Sequence, residues 1–257
     1  MICPPSKSQA GYIGWVSPVS DLRNFIVDLH IHTCLSACGS PGMIPPAIVA
    51  EAKRNHIEGI GITDHNSAAN VEAVMAAGKD QVVVFGGMEV MTREEIHILV
   101  FFDNAEKLRS FQYVVENHLS GRNDPDRFGE QYIVDEEGYI VGCSEAFLSG
   151  AVDLSVEELV EMTHEQAGIA VAAHIDRESY SILSQLGFIP DSLPLDGVEI
   201  TKPGDDAGYP QIACSDAHDL SQIGSRKSIV SCKALTFDEI RASLRGEGGR
   251  TIKPVWT

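Results

Sequence analysis

Short apolar runs closed by a histidine or a carboxylate recur along this 257-residue chain, and they constrain its fold more than any other feature. The clearest is Phe25-Ile26-Val27, which leads into Asp28-Leu29-His30-Ile31-His32-Thr33. Side chains two apart on a strand point the same way. Strict alternation therefore predicts that Asp28, His30 and His32 share one face, and Val27, Leu29 and Ile31 the other. The grammar returns four more times. Gly59-Ile60-Gly61-Ile62-Thr63 ends in Asp64-His65. Val82-Val83-Val84-Phe85-Gly86-Gly87-Met88 ends in Glu89, with His97 soon after. Ile169-Ala170-Val171-Ala172-Ala173 ends in His174, and Ile212-Ala213-Cys214-Ser215 in Asp216-Ala217-His218.

Runs that are apolar throughout suit strands covered on both faces. Expected strands are 25–31, 59–63, 82–86, 96–102, 169–173, 197–200, 211–214 and 228–232. Helices fall between them. Pro45-Pro46 opens one reaching about His56, because a proline in the first turn loses no hydrogen bond there. Others are expected at 68–77, 105–119, from Ser155 to Gly168, at 179–186 and at 236–246. Ser155-Val156-Glu157-Glu158 and Thr236-Phe237-Asp238-Glu239 both have capping-box spacing. The alternation predicts a parallel α/β arrangement, preceded by an irregular leader over residues 1–24. One stretch departs from it. Residues 132–141 read as a β-hairpin around an acidic turn, within an insertion of about 120–150 that would rim or cover the site.

In a parallel barrel, groups at the carboxyl ends of the strands collect at one mouth. The five sites would then pool at least five imidazoles and two carboxylates. Such a cluster is expensive to desolvate unless it is satisfied, and divalent ions satisfy it. Imidazole with carboxylate suits Zn, Mn or Fe better than Mg or Ca. A Ser/His/Asp device is not expected, since the chain has no Gly-x-Ser-x-Gly elbow.

These motifs, in this order, resemble the PHP (polymerase and histidinol phosphatase) superfamily over about residues 25–235. The resemblance implies a distorted (β/α)7 barrel, here with the β-hairpin insertion and spanning 25–257. It implies a centre of two or three divalent transition-metal ions. Carried over by position, it makes His30, His32, Glu89 and Asp216 ligands of one ion. Glu89 then bridges to a second ion held by His97 and His174. His65 and His218 hold a third with a group from the loop after the first motif. Many members place Asp in that loop, and others a His one residue later. This chain has Ala37 and Cys38 there, and a thiolate is a competent ligand. Arg177 falls where many members grip substrate phosphate, and Lys202 is a further candidate. Asp64 is expected to orient a ligand rather than bind metal.

The implied function is hydrolysis of a small phosphate ester by a metal-activated hydroxide. The alternatives are a non-catalytic or regulatory metal module, a DNA-processing phosphodiesterase on the same centre, and a metal-dependent amide hydrolase. The chain has 37 acidic residues against 19 basic ones, a net charge of −18. That field repels polyanions, so an extended DNA- or RNA-binding surface is not expected and a small phosphorylated substrate is. No apolar run approaches membrane-spanning length. Met1 to Gly14 has no basic segment followed by an apolar stretch, and the cysteines fall in no C-x-x-C. Free thiols and a cytoplasmic location are therefore expected.

Overall fold

The computed structural model describes residues 21–204 and 208–256. Most of the expected leader, residues 1–20, lies outside the described residues; Arg23 and Asn24 already belong to the first strand. The strands are β1 (Arg23–Ile31), β2 (Gly59–Ile62), β3 (Val83–Met91), β4 (His97–Phe101), β5 (Tyr132–Val134), β6 (Ile140–Cys143), β7 (Ile169–Ala172), β8 (Gly197–Glu199), β9 (Gln211–Ile212), β10 (Lys227–Cys232) and β11 (Thr251–Val255). The helices are α1 (Pro45–Arg54), α2 (Val71–Gly78), α3 (Ala105–His118), α4 (Pro125–Phe128), α5 (Val156–Glu165), α6 (Ile182–Leu186) and α7 (Phe237–Leu244).

Nine strands form one sheet in the order β11-β10-β1-β2-β3-β4-β7-β8-β9. Its two edge strands, β9 and β11, lie against each other, so the sheet is nearly closed into a barrel. The hairpin at 132–141 exists as a separate two-stranded antiparallel sheet, β5 with β6. It is tied to the loop after β1, where Tyr132 N donates to Cys34 O.

The alternation predicts parallel neighbours throughout, and the sheet is mixed instead. β1–β2, β2–β3, β7–β8 and β8–β9 are parallel. β3–β4, β4–β7, β1–β10 and β10–β11 are antiparallel. The physical reason at β3–β4 is the short connection through residues 92–96. A parallel pair needs a crossover of a dozen residues or more.

The sheet separates two apolar layers. Outside, α1, α2, α3 and α5 cover Ile60, Ile62, Met88, Val90, Ile98, Val100, Ala170 and Ala172. Inside, Phe25, Val27, Leu29, Phe85, Leu99, Phe101, Ile169 and Val171 meet Ile240 and Leu244 of α7. Each fully buried Val, Leu, Ile, Phe or Met among them contributes roughly 1.5–3 kcal/mol by leaving water. The capping box at Ser155 and Glu158 closes on both sides. At Thr236 only half forms: the hydroxyl caps Glu239 N, while the Glu239 carboxylate turns to Arg250.

The strict alternation expected along Asp28–His32 fails at one point that matters. Val27 and Asp28 pair with Gly59 and Ile60, but Ile31 already pairs with Ile62. Leu29 and His30 therefore stand opposite Gly61 alone. Leu29 stays with the inner apolar layer, Ile31 moves to the outer one, and His30 turns into the polar mouth. Bulges commonly re-aim side chains beside functional sites. Gly61 is required here, because a Cβ on it would stand 2.3 Å from the Leu29 carbonyl oxygen. Gly61→Ala is predicted to cost about 1–3 kcal/mol, as overpacked cores do, read as a fall in thermal midpoint. An unchanged midpoint would show that the bulge relaxes freely.

Candidate metal centre

On β3 the inner face runs Phe85, Gly87, Glu89, and on β4 it runs Phe101, Leu99, His97. Their antiparallel register sets Glu89 opposite Leu99 and Met91 opposite His97. Both strands thus pass from the apolar interior to a polar end at the same level. There Glu89, 1% exposed, meets five imidazoles. Its Oε1 lies 2.8 Å from His97 Nδ1, 3.1 Å from His174 Nε2 and 3.4 Å from His30 Nε2. Its Oε2 lies 3.0 Å from His65 Nδ1 and 3.3 Å from His32 Nε2. Asp216 Oδ1 lies 3.2 Å from His30 Nε2 and 3.1 Å from His32 Nε2.

Three of the rings have their second nitrogen committed. His30 Nδ1 donates to Glu199 Oε2 at 3.0 Å. His32 Nδ1 donates to Ser36 Oγ at 2.9 Å, and Ser36 donates onward to Asp64 Oδ1 at 2.7 Å. His218 Nδ1 donates to the Asp216 carbonyl at 2.9 Å. Such partners fix the tautomer and leave Nε2 with its lone pair. His30 Nε2 and His32 Nε2 then face each other at 3.1 Å. Two lone pairs at that distance repel unless a proton or a cation lies between them. His174 Nδ1 and Glu199 Oε1 are also buried without hydrogen-bond partners. The donor set fits divalent transition metals.

The backbone at two of these residues is strained. His174 and Asp216 have φ of 29° and 53°, left-handed values that a non-glycine residue adopts at a cost of order 1–3 kcal/mol. Elsewhere the loops are fastened by buried carboxylates. Asp28 accepts from Ser215 N and Gly224 N, and Glu199 accepts from His174 N. Asp64 accepts from the Thr33 amide and hydroxyl.

The electrostatics ask for positive charge. Burial opposes protonation of His30, but Asp216, Glu199 and Glu89 outweigh it and hold the ring well above its ordinary value. Burial likewise opposes His32 and His65, yet Asp216 and Glu89 push His32 up to about 9, and Glu89 with the Cys38 thiol pushes His65 up to about 9. Burial raises Glu89 and Asp216, but the surrounding imidazoles hold both far below the usual carboxylate range. Burial and the neighbouring His32 push His218 down to about 3.

Three groups of side chains converge closely enough to share an ion among the described residues: His30, His32, Glu89 and Asp216; His65, Glu89 and His97; and His32, His65 and His218. His174 reaches the cluster through Glu89. Cys38 is exposed and lies outside these groups, though its thiol contacts the His65 ring. Cys34 is a packed thiol near Asn70, pushed up to about 12 by burial. Arg177 pairs with neither Asp176 nor Glu178. Its Nη2 sits 2.6 Å from Asp216 Oδ2. Lys202 is exposed, and its amide is held by Asp176.

Sequence reading missed Glu199, Ser36 and Tyr180. Glu199 carried a signal: a lone carboxylate inside the short apolar run Gly197-Val198-Glu199-Ile200 must find a buried partner. Tyr180 stacks on His97 with centroids 5.0 Å apart and planes 10° apart.

The match to known proteins follows this geometry. The PHP domain model matches residues 28–181, more than half of the chain, and the chain belongs to that family. No curated protein matches it. The fold is similar to the lesion-specific endonuclease Q of Pyrococcus furiosus, with TM-score 0.67 and 22% identity, covering 90% of this chain and 58% of that one. It is similar to endonuclease Q in complex with a 27-mer duplex bearing an abasic lesion, with TM-score 0.66 and 21% identity, covering 89% and 58%. It is also similar to a two-domain protein of Bacteroides vulgatus containing a predicted PHP-like metal-dependent phosphoesterase, with TM-score 0.52 and 14% identity, covering 98% and 70%. The chain thus spans 58% of the endonuclease Q length.

The duplex complex overturns one expectation. A net charge of −18 does not remove nucleic acid from the partners of this fold. Charge summed over a whole chain is screened within about 8 Å at physiological salt. The potential at the mouth is set locally, by Arg177 and by any bound cation. Among the described residues, no helix is long and apolar enough to cross a membrane.

Two outcomes are expected. Glu199→Ala releases His30 Nδ1 and is predicted to weaken metal affinity about 10–100-fold, as loss of such partners does, measured by chelator competition. Because His32 and His65 hold protons up to about pH 9, metal must displace them. Apparent affinity should therefore rise from pH 7 to 9, with protons released in calorimetry. Affinity flat across that window would contradict this charge balance.

Proposed function

We propose that this chain is a metal-dependent phosphoesterase whose substrates include phosphodiesters of nucleic acid. The observation that carries the reading is the 3.1 Å approach of His30 Nε2 and His32 Nε2 beside Glu89 and Asp216. Zn, Mn or Fe would be held by His30, His32, His65, Glu89, His97, His174, Asp216 and His218, with Cys38 as the loop group beside His65. Divalent cations bound there would acidify water toward neutral pH and screen phosphate charge.

The remaining roles belong to the chain's own side chains. Arg177, 39% exposed at its side chain, carries a planar fork suited to two phosphate oxygens. Its tie to Asp216 keeps the guanidinium over the centre before substrate arrives. Glu199 and Asp64, the latter through Ser36, keep the rings of His30 and His32 turned inward. The hairpin, tied through Tyr132 N to Cys34 O in the loop that carries Cys38, would rim the mouth. Nucleic acid is supported as the substrate class by the likeness to endonuclease Q with its duplex.

The test is hydrolysis by purified, metal-loaded protein of a fluorescent duplex with an abasic site, of bis(p-nitrophenyl) phosphate and of p-nitrophenyl phosphate. Cleavage of the diesters ahead of the monoester is expected. Turnover of the monoester alone would reject the nucleic-acid class, and bound metal without any turnover would favour the non-catalytic module. His174→Ala should lower turnover by more than the roughly 100-fold upper end seen for loss of an outer partner. Unchanged hydrolysis in that variant would reject the mechanism.

A further inference from the structure

One loop, from the end of β7 to the start of α6, sends three side chains to the mouth. His174 Nε2 meets Glu89, Arg177 meets Asp216, and the Tyr180 ring lies on His97. The first two have roles in the proposed chemistry and the third has none. Yet Tyr180 is held firmly. Its carbonyl accepts from His97 N at 2.9 Å, and its φ is 57°, a left-handed value costly for an aromatic residue. Just beyond it, Ser181 donates to the Arg177 carbonyl at 2.8 Å and caps α6. The loop is therefore closed on both sides of the ring.

We infer that Tyr180 is a substrate-positioning residue: one face of its ring covers His97, and the other stacks a nucleobase next to the phosphate being cleaved. The second face is open, since Tyr180 is 45% exposed although one side is covered by the parallel His97 ring. The spacing suits a nucleotide. The His97 ring beneath Tyr180 also meets the rings of His65 and His174, with centroids 5.2 and 5.3 Å from theirs. Tyr180 is thus one stacking contact from a member of the cluster, and a base on its open face would lie next to that cluster with only the Tyr180 ring between. Stacking on an aromatic face tolerates any base, which suits a chain of net charge −18.

This inference rests on the phosphoesterase reading, and the experiment separates the two. Thymidine 5′-monophosphate and 2-deoxyribose 5-phosphate share sugar and phosphate and differ in the base. Their affinities for the metal-loaded full chain are measured by calorimetry, for wild type, Tyr180→Phe, Tyr180→Leu and Tyr180→Ala. Metal content of each variant is measured alongside. Wild type and Tyr180→Phe should prefer the thymidine ligand about fivefold or more, in line with base–aromatic stacking. Tyr180→Leu, which keeps bulk over His97, and Tyr180→Ala should bind both ligands alike. Equal affinities in wild type, or a preference that survives in Tyr180→Leu, would overturn the assignment. So would a Tyr180→Leu variant that loses affinity for both ligands equally, because support of His97 would then be the whole role. Turnover of methyl p-nitrophenyl phosphate, which has no base, reads the phosphoesterase claim separately. Its absence sinks that claim, while the affinity ratio still decides Tyr180.

Discussion

Glu89 is a fully buried carboxylate within 3.4 Å of five imidazoles, and the rest of the molecule is arranged to make that possible. Taking so many polar groups out of water is costly unless opposite charge compensates them. Protons on His30, His32 and His65 would supply that charge in part, since the neighbouring carboxylates hold these rings above their ordinary value. Divalent cations would supply it without leaving two imidazole lone pairs in contact. The apolar lower half of the barrel, sealed by Ile240 and Leu244 of α7, provides the rigid support on which such a cluster can be held.

The polar end is built twice over. Beneath the groups that face the cavity lies a set of buried carboxylates, each carried on or just after one strand and fastening the loop of another. Asp64, after β2, holds the loop after β1. Asp28, on β1, holds the loop after β9 that carries Asp216. Glu199, at the end of β8, holds both His30 and the amide of His174. The left-handed backbone at His174 and Asp216 persists because these bonds over-determine it.

Much of this was legible in the residues. His30-x-His32, Asp64-His65, Glu89, His174 and Asp216-x-His218 stand out because each ends an apolar run, and strand ends meet at one mouth. The less legible features are long-range. The antiparallel pairing of β3 with β4 depends on loop length, and that of β1 with β10 on no local signal at all. β11 was hidden by Pro254 in Thr251-Ile252-Lys253-Pro254-Val255, and proline is tolerated there because β11 is an edge strand. The bulge at Leu29 and His30 overrode simple alternation, and Gly61 was its only trace. Glu199 and Ser36 touch other side chains rather than the cavity, so no spacing rule reaches them. Net charge misled because it averages over a surface, whereas binding is decided within one Debye length of the mouth.

The central claim is that these imidazoles and carboxylates converge on cations. Anomalous scattering from crystals grown with the protein's own metal complement tests it most directly. The account predicts at least two transition-metal peaks, one at roughly 2.0–2.3 Å from His30, His32, Glu89 and Asp216, the range for nitrogen and oxygen ligands. A cluster that stays free of metal after soaking in Zn or Mn, or metal bound only elsewhere on the chain, would contradict it.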